Sequence, residues 1–190
     1  MRPARKDESG TIAELFEISS DGVASYIWSG LQTDYPGLSL LEIGRRRYER
    51  EDTAFSYQNC LMAEEQGRVL GMMHAFPVEP ADDVAPAAQP VDPVLKPYSE
   101  LEAPDTLYIA GIAVWPDYRG RGVGTRFLEA ARARAHSLRL RELSLLCFAS
   151  NTGARRLYDR AGFVVVDWRP VVPHALIRHT GDVLLMQAPA

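Results

Sequence analysis

Apolar residues along this chain recur with two different periods, and the changes of period mark most of its elements. A short strand is expected near Arg2–Arg5. Ile12, Leu15, Phe16, Ser19, Val23, Tyr26 and Ile27 then follow at spacings of three and four, the helical period. Thr11 with Glu14 has capping-box spacing, and Gly22 weakens this helix in its middle. Asp34-Tyr35-Pro36-Gly37 is a turn, and Ser39 with Glu42 opens a second helix that ends near Arg50. Ser56–Ala63 and Val69–Phe76, around Gln66-Gly67, read as a β-hairpin.

Farther along, Leu107–Val114 is a strand, and Gly120–Gly124 leads into a helix that runs to about Leu138. Val123, Phe127, Leu128, Ala131, Ala135 and Leu138 share one face of it. Leu143–Phe148 is a buried strand, Asn151–Ala161 a helix, and Phe163–Trp168 and Val183–Met186 the last strands. The order β-α-α-β-β-β-α-β-α-β-β is that of an α/β or α+β layer fold with one mixed sheet.

One stretch interrupts the pattern. Residues 77–104 hold seven of the 13 prolines and six acidic side chains against a single Lys96. Proline removes backbone donors, so this segment is neither a central strand nor a helix interior. It is expected to be an extended surface loop or insertion in a single domain spanning residues 1–190.

Composition narrows the function classes. With 21 basic and 25 acidic residues the net charge is −4, without the basic excess that a duplex-DNA binder usually carries. No apolar run reaches the roughly 18 residues of a membrane-spanning helix. The N-terminus, Met-Arg-Pro-Ala-Arg-Lys-Asp-Glu, has no apolar core of a secretory signal. Cys60 and Cys147 stand alone in apolar stretches, as buried thiols of a reducing cytoplasm would. No cysteine or histidine spacing suggests a structural zinc site. Neither nucleic acid, membrane nor metal is therefore expected as a partner.

The chemistry concentrates in Val114-Trp115-Pro116-Asp117-Tyr118-Arg119-Gly120-Arg121-Gly122-Val123-Gly124-Thr125. Three alternate glycines stand between a strand and a helix, where successive amides can approach a ligand closely. A helix start adds unpaired N–H groups and the positive end of the dipole, so the turn can hold phosphate. Arg119 and Arg121 bring charge to the same place. A Walker A loop is excluded, because Gly124 is followed by Thr125-Arg126 rather than Lys-Ser/Thr. The Rossmann pattern misses by one residue.

The R-x-x-G-x-G of Arg119, Gly122 and Gly124 resembles the pyrophosphate-binding motif of the GNAT N-acetyltransferase superfamily. Ile112-Ala113-Val114-x-Pro116-x-Tyr118 looks like that family's fourth strand and its exit. Downstream, Asn151-x-x-Ala154-x-x-x-Tyr158-x-x-x-Gly162-Phe163 looks like its second cofactor-binding segment. The resemblance covers Leu107–Val166; the N-terminal half fits the order of elements but has no diagnostic residues.

The resemblance implies a mixed, mostly antiparallel sheet of six to seven strands flanked by about four helices, with the fourth and fifth strands splayed. It implies acetyl-CoA as co-substrate, with pantetheine along Ile112 and Val114 and the pyrophosphate held by Arg119, Gly120, Arg121, Gly122, Val123, Gly124 and Thr125. Asn151 and Ala154 would touch the cofactor, and Tyr158 would protonate the departing thiolate; a core aromatic is the alternative for Tyr158. Gly111 is a place where a bulge could start the splay. The acceptor is a primary amine of a small molecule or peptide, and a homodimer is open.

No acid lies on the fourth strand between Leu107 and Val114. Glu100, Glu102, Asp105, Tyr108, His74 and His174 are the remaining candidates for the general base. The family's acceptor region would offer Tyr26, Trp28, Tyr35, Arg45–Arg47, His174 and His179. Aromatic groups there suit a cationic amine, and the arginines an acidic acceptor. The alternative class is a CoA-binding regulatory domain without catalysis.

Overall fold

A computed structural model describes residues 1–78 and 92–190. Its strands are β1 (Arg2–Pro3), β2 (Cys60–Glu65), β3 (Arg68–Pro77), β4 (Thr106–Val114), β5 (Glu142–Phe148), β6 (Val164–Pro170) and β7 (Asp182–Pro189). Its helices are α1 (Ser9–Ser19), α2 (Val23–Ser29), α3 (Leu40–Tyr48), α4 (Lys96–Ser99), α5 (Val123–Ser137) and α6 (Thr152–Arg160). The seven strands form one sheet in the order β1-β2-β3-β4-β5-β7-β6. Only β4 and β5 run parallel among the recorded pairings. This is the mixed, mostly antiparallel sheet expected, with six helices rather than about four. No helix among the described residues is long and apolar enough to cross a membrane.

The chain divides into two compact units. The first holds Met1–Ala75, Gly111–Phe127 and Leu176–Arg178. Its first expected helix is two helices. Gly22 has φ +97°, and a side chain there would strike the backbone of Leu176. Arg178 N also donates to Asp21 O at 2.9 Å, so a distant segment fixes the break. Thr11 is not the cap: α1 begins at Ser9 after a 3-10 turn at Lys6–Glu8, where the Glu8 carboxylate accepts from Arg5 N at 2.8 Å.

The capping box of α3 forms as expected, with Ser39 N donating to Glu42 Oε2 at 2.8 Å. The hairpin also forms, turning through Gln66 and Gly67, both at positive φ. Its first strand starts at Cys60, because residues 57–59 close a 3-10 turn under the Ser56 side chain. Ile12, Leu15, Ile43, Tyr48, Met62, Met72 and Met73 make the core of this unit. Gly71 and Gly111 give room in it. A side chain on Gly71 would meet Ala113 and Val114, and one on Gly111 would meet Ser19 and Phe16 of α1. Gly111 has no positive φ, so space is what it supplies.

The second unit holds Phe76–Ala110, Leu128–Ala175 and His179–Ala190. Its parallel pairing runs from Thr106 with Glu142 to Ile109 with Leu145 and stops there. Leu146, Cys147 and Phe148 continue along β7 alone, which is the splay. The paired end is pinned in the core. Thr106 Oγ1 donates to Ala103 O at 2.7 Å, which leaves Ser144 Oγ to donate to Thr106 at 2.6 Å.

Residues 79–91 of the proline-rich segment lie outside the described residues. Residues 92–104 are not a plain surface loop. They form α4 and bury Pro97, Leu101 and Ala103. Pro97 is tolerated because it stands in the first turn of that helix, where its missing N–H has no intrahelical partner. Leu138 also departs from expectation. It is exposed because α5 ends at Ser137 and the chain turns through Arg139 at φ 60°.

Candidate active site

In the first unit, β4 ends at Val114 and Pro116–Tyr118 make a 3-10 turn. Gly120 and Gly122 follow at φ +75° and +74°, with open space where a Cβ would stand. Positive φ at both turns the backbone sharply into α5. The first helical bond beyond the turn is Arg126 N to Gly122 O at 3.1 Å. The amides of Val123, Gly124 and Thr125 precede it and have no carbonyl one turn back to bond.

Two side chains brace the turn. Arg119 Nε donates to Val114 O at 3.1 Å. Arg121 donates to Asp117 O at 3.2 Å and lies over the Tyr118 ring at 5.3 Å. Arg119, Arg121 and Arg126 are exposed and form no ion pair with a carboxylate among the described residues. The exposed glycines, the amides without an intrahelical partner and the unneutralised guanidinium groups are the chemistry that an anion would need. Ile112 and Val114 are half-buried, and Val123 is buried beneath the turn.

The other residues expected at the cofactor lie in the second unit. Asn151 caps α6, its Oδ1 accepting from Ala154 N at 3.1 Å. Asn151 and Ala154 are half-buried. Tyr158, one helical turn on from Ala154, is 8% exposed, with its ring 5.7 Å from that of Phe163. The base candidates fare unequally. Glu100 is paired with Lys96 at 3.5 Å and Arg169 at 3.2 Å. Glu102 and Asp105 are exposed. Tyr108 packs edge-on against Phe76 at 5.5 Å, and burial, then the Glu102 charge, holds its hydroxyl neutral well above the ordinary tyrosine range.

His74 is not placed for proton transfer. It is fully buried in the first unit, with Nε2 2.9 Å from Ala54 O and Nδ1 3.1 Å from the Tyr48 hydroxyl. A carbonyl only accepts, so Nε2 carries the proton and Nδ1 accepts from Tyr48. Both ring nitrogens are committed to the core. Of the expected acceptor aromatics, Trp28 is 3% exposed and packed on Gly44, so it is core rather than an open wall. Tyr26 and Tyr35 are half-buried. Arg45 and Arg46 each pair with Glu49 at 3.2 Å, while Arg47 is half-buried. His174 is exposed.

Three groups in the second unit escaped the sequence reading. Ser150 Oγ lies 2.8 Å from Nδ1 of His179, whose ring stacks 4.9 Å from that of Phe148. The Tyr98 hydroxyl is buried without a hydrogen-bond partner among the described residues, and burial pushes it up to about 12. Arg155 Nε on α6 is also buried and donates to no acceptor among the described residues, its ion-pair neighbour Asp159 lying 4.0 Å away. Tyr98 was hidden by the prolines around it. The spacing of three in Leu95, Tyr98 and Leu101 is the signal that could have found it.

Comparison with known proteins agrees with this architecture. The chain is 37% identical over 71 residues to the uncharacterized N-acetyltransferase YycN of Bacillus subtilis, covering 37% of this chain and 46% of that protein. It is 34% identical over 88 residues to N-alpha-acetyltransferase 40 of Saccharomyces cerevisiae, covering 43% and 30%. The chain thus spans less than half the length of these curated relatives. An N-acetyltransferase structure from Staphylococcus aureus Mu50 superposes with TM-score 0.67 at 21% identity, covering 98% of both chains. The model of the acetyltransferase (GNAT) family matches residues 25–163, a span that takes in β4, the glycine turn and α6. The chain belongs to the acetyltransferase (GNAT) family.

Proposed function

We propose that this chain is one acetyltransferase domain over residues 1–190 that moves the acetyl group of acetyl-CoA to a primary amine of a small molecule or peptide. The observation that carries this reading is the open, amide-lined turn at Gly120–Thr125, inside the span of the family match. It suits a pyrophosphate, which needs several donors and no side chain in the way. In the first unit, Ile112 and Val114 offer backbone groups to the pantetheine, and Arg119, Gly120, Arg121, Gly122, Val123, Gly124 and Thr125 hold the phosphates. In the second, Asn151 and Ala154 contact the cofactor.

The reaction is direct attack of a neutral amine nitrogen on the thioester carbonyl. A C–N bond forms, the oxyanion of the tetrahedral intermediate collapses, and the C–S bond breaks. Tyr158 gives its hydroxyl proton to the departing thiolate, and the proton shed by the nitrogen as it becomes an amide replaces it by way of solvent. The burial of Tyr158 keeps competing water away from that hydroxyl proton. Cys60 and Cys147 are buried thiols not joined in a disulfide, which supports a reducing compartment, the cytoplasm, as the place of action.

A second reading, a CoA-binding regulatory domain, draws on the missing acid of β4 and on the commitment of His74 to the core. One experiment separates them. CoA release from acetyl-CoA is followed with a thiol reagent across a panel of amines, beside calorimetric binding of acetyl-CoA. Turnover with at least one amine is expected. Binding without turnover on any amine favours the regulatory reading, and absence of binding rejects both.

A further inference from the structure

Three of the four arginines at the end of α3 have an evident local role. Arg45 and Arg46 share Glu49, and Arg50 Nε donates to the carbonyl oxygen of Arg47 at 3.0 Å, satisfying a helix C-terminus. Arg47 is different. Its side chain is half-buried, yet it makes no ion pair and no side-chain hydrogen bond among the described residues. Leaving a guanidinium partly out of water and unpaired is unfavourable. Burial lowers its pKa first, and the Arg50 charge lowers it further; Tyr35 and Tyr48 act the other way, and no carboxylate is among these influences. A guanidinium in this setting is suited to an anion.

A run of contacts leads from this end of α3 to β4. Tyr48, the residue after Arg47, meets the Phe16 ring edge-on at 5.6 Å. Phe16 in turn lies where a side chain on Gly111 of β4 would stand, its Cδ2 3.3 Å from that point. All these residues belong to the first unit, with Ile112, Val114 and the glycine turn. Two core side chains, Tyr48 and Phe16, therefore stand in series between the end of α3 and the stretch of β4 proposed for the pantetheine. We infer that the acceptor is an anionic amine, an amino acid or acidic peptide whose carboxylate is bound by Arg47 with Arg50 beside it; this rests on the acetyl-transfer reading above. Arg47 suits a carboxylate because its planar fork can give two parallel hydrogen bonds.

The test uses two matched pairs of amines that differ only in the anion. One pair is alanyl-glutamate and alanyl-glutamine, each amidated at its C-terminus; the other is β-alanine and its amide. The carboxylate member of at least one pair is expected to be acetylated with a kcat/KM about tenfold higher, the difference lying in KM. Arg47→Gln should level that pair, Arg47→Lys should retain part of the preference, and acetyl-CoA affinity should hold in both. Equal rates within both pairs, or a preference that survives Arg47→Gln, overturns the anion site while acetyl transfer stands. Should no amine turn over, calorimetry with the N-acetylated glutamate and glutamine peptides decides. Arg47-dependent preference for the glutamate form then supports the anion site and counts against the transfer. Equal binding of the two, or none, overturns the anion site as well.

Discussion

Arg119 Nε donates to the carbonyl oxygen of Val114 at 3.1 Å, so the side chain that begins the glycine turn is tied to the last residue of β4. The bond sets the direction in which the turn leaves the strand. Lysine keeps the charge but not the planar donor. Arg119→Lys is expected to weaken acetyl-CoA binding roughly threefold to tenfold, the worth of one modest hydrogen bond. Isothermal titration would reveal it, and an unchanged Kd would detach Arg119 from the cofactor.

Gly122 stands at φ +74° with nothing near its missing side chain. Space is therefore not the constraint; backbone conformation is. Gly122→Ala should cost roughly 1–2 kcal/mol of stability, read from urea unfolding. Gly122→Asp should add a loss of acetyl-CoA affinity through repulsion of the phosphates. Equal affinities for the two variants would argue against a phosphate at this turn.

Tyr158→Phe is expected to lower kcat by about a hundredfold, the lower range for a general acid, with acetyl-CoA affinity nearly intact. The methodical control is a melting curve, because the ring packs against Phe163 in either variant. Unchanged turnover would return Tyr158 to the role of a core aromatic.

Tyr48→Phe leaves Nδ1 of His74 as a buried acceptor with its hydroxyl partner gone. A loss of roughly 1–3 kcal/mol should appear in urea unfolding. A pH–rate profile should keep its shape, since His74 is fully buried and committed at both nitrogens. A shifted profile would bring His74 back as a proton carrier.

The Glu8 carboxylate is held below its ordinary value of 4.5, chiefly by the Arg2 guanidinium that meets it at 2.6 and 2.8 Å. Its stabilising contribution is complete above pH 4.5 and is lost as pH falls through the lower folded value. Glu8→Gln should be less stable than the parent at neutral pH. Its urea midpoint should also fall less steeply on acidification below that range. Parallel midpoints for both proteins would remove Glu8 from the acid transition.

The glycine turn and the N-cap at Asn151 were legible because their physics is local: a few adjacent residues decide the backbone. The same holds for Ser39 with Glu42 and for Gln66-Gly67. Gly22 was legible only as a weak point. What ends α1 is the approach of Leu176 and the bond from Arg178 to Asp21, contacts across more than half the chain. His74 was ambiguous for the same reason, since its partners Tyr48 and Ala54 come from a helix and a loop upstream. The prolines of 92–104 concealed α4, because a proline in a first turn and a proline in a loop look alike in sequence.

Gly71 bears no chemistry, yet Ala113 and Val114 occupy the space where its side chain would be, and Trp115 N reaches across to Leu70 O at 2.9 Å. Any replacement would push β4 aside at the residues proposed to meet the cofactor. In a saturation survey scored by activity, Gly71 would tolerate as little as Tyr158, and only a separate survey scored by abundance would tell the spacer from the proposed acid.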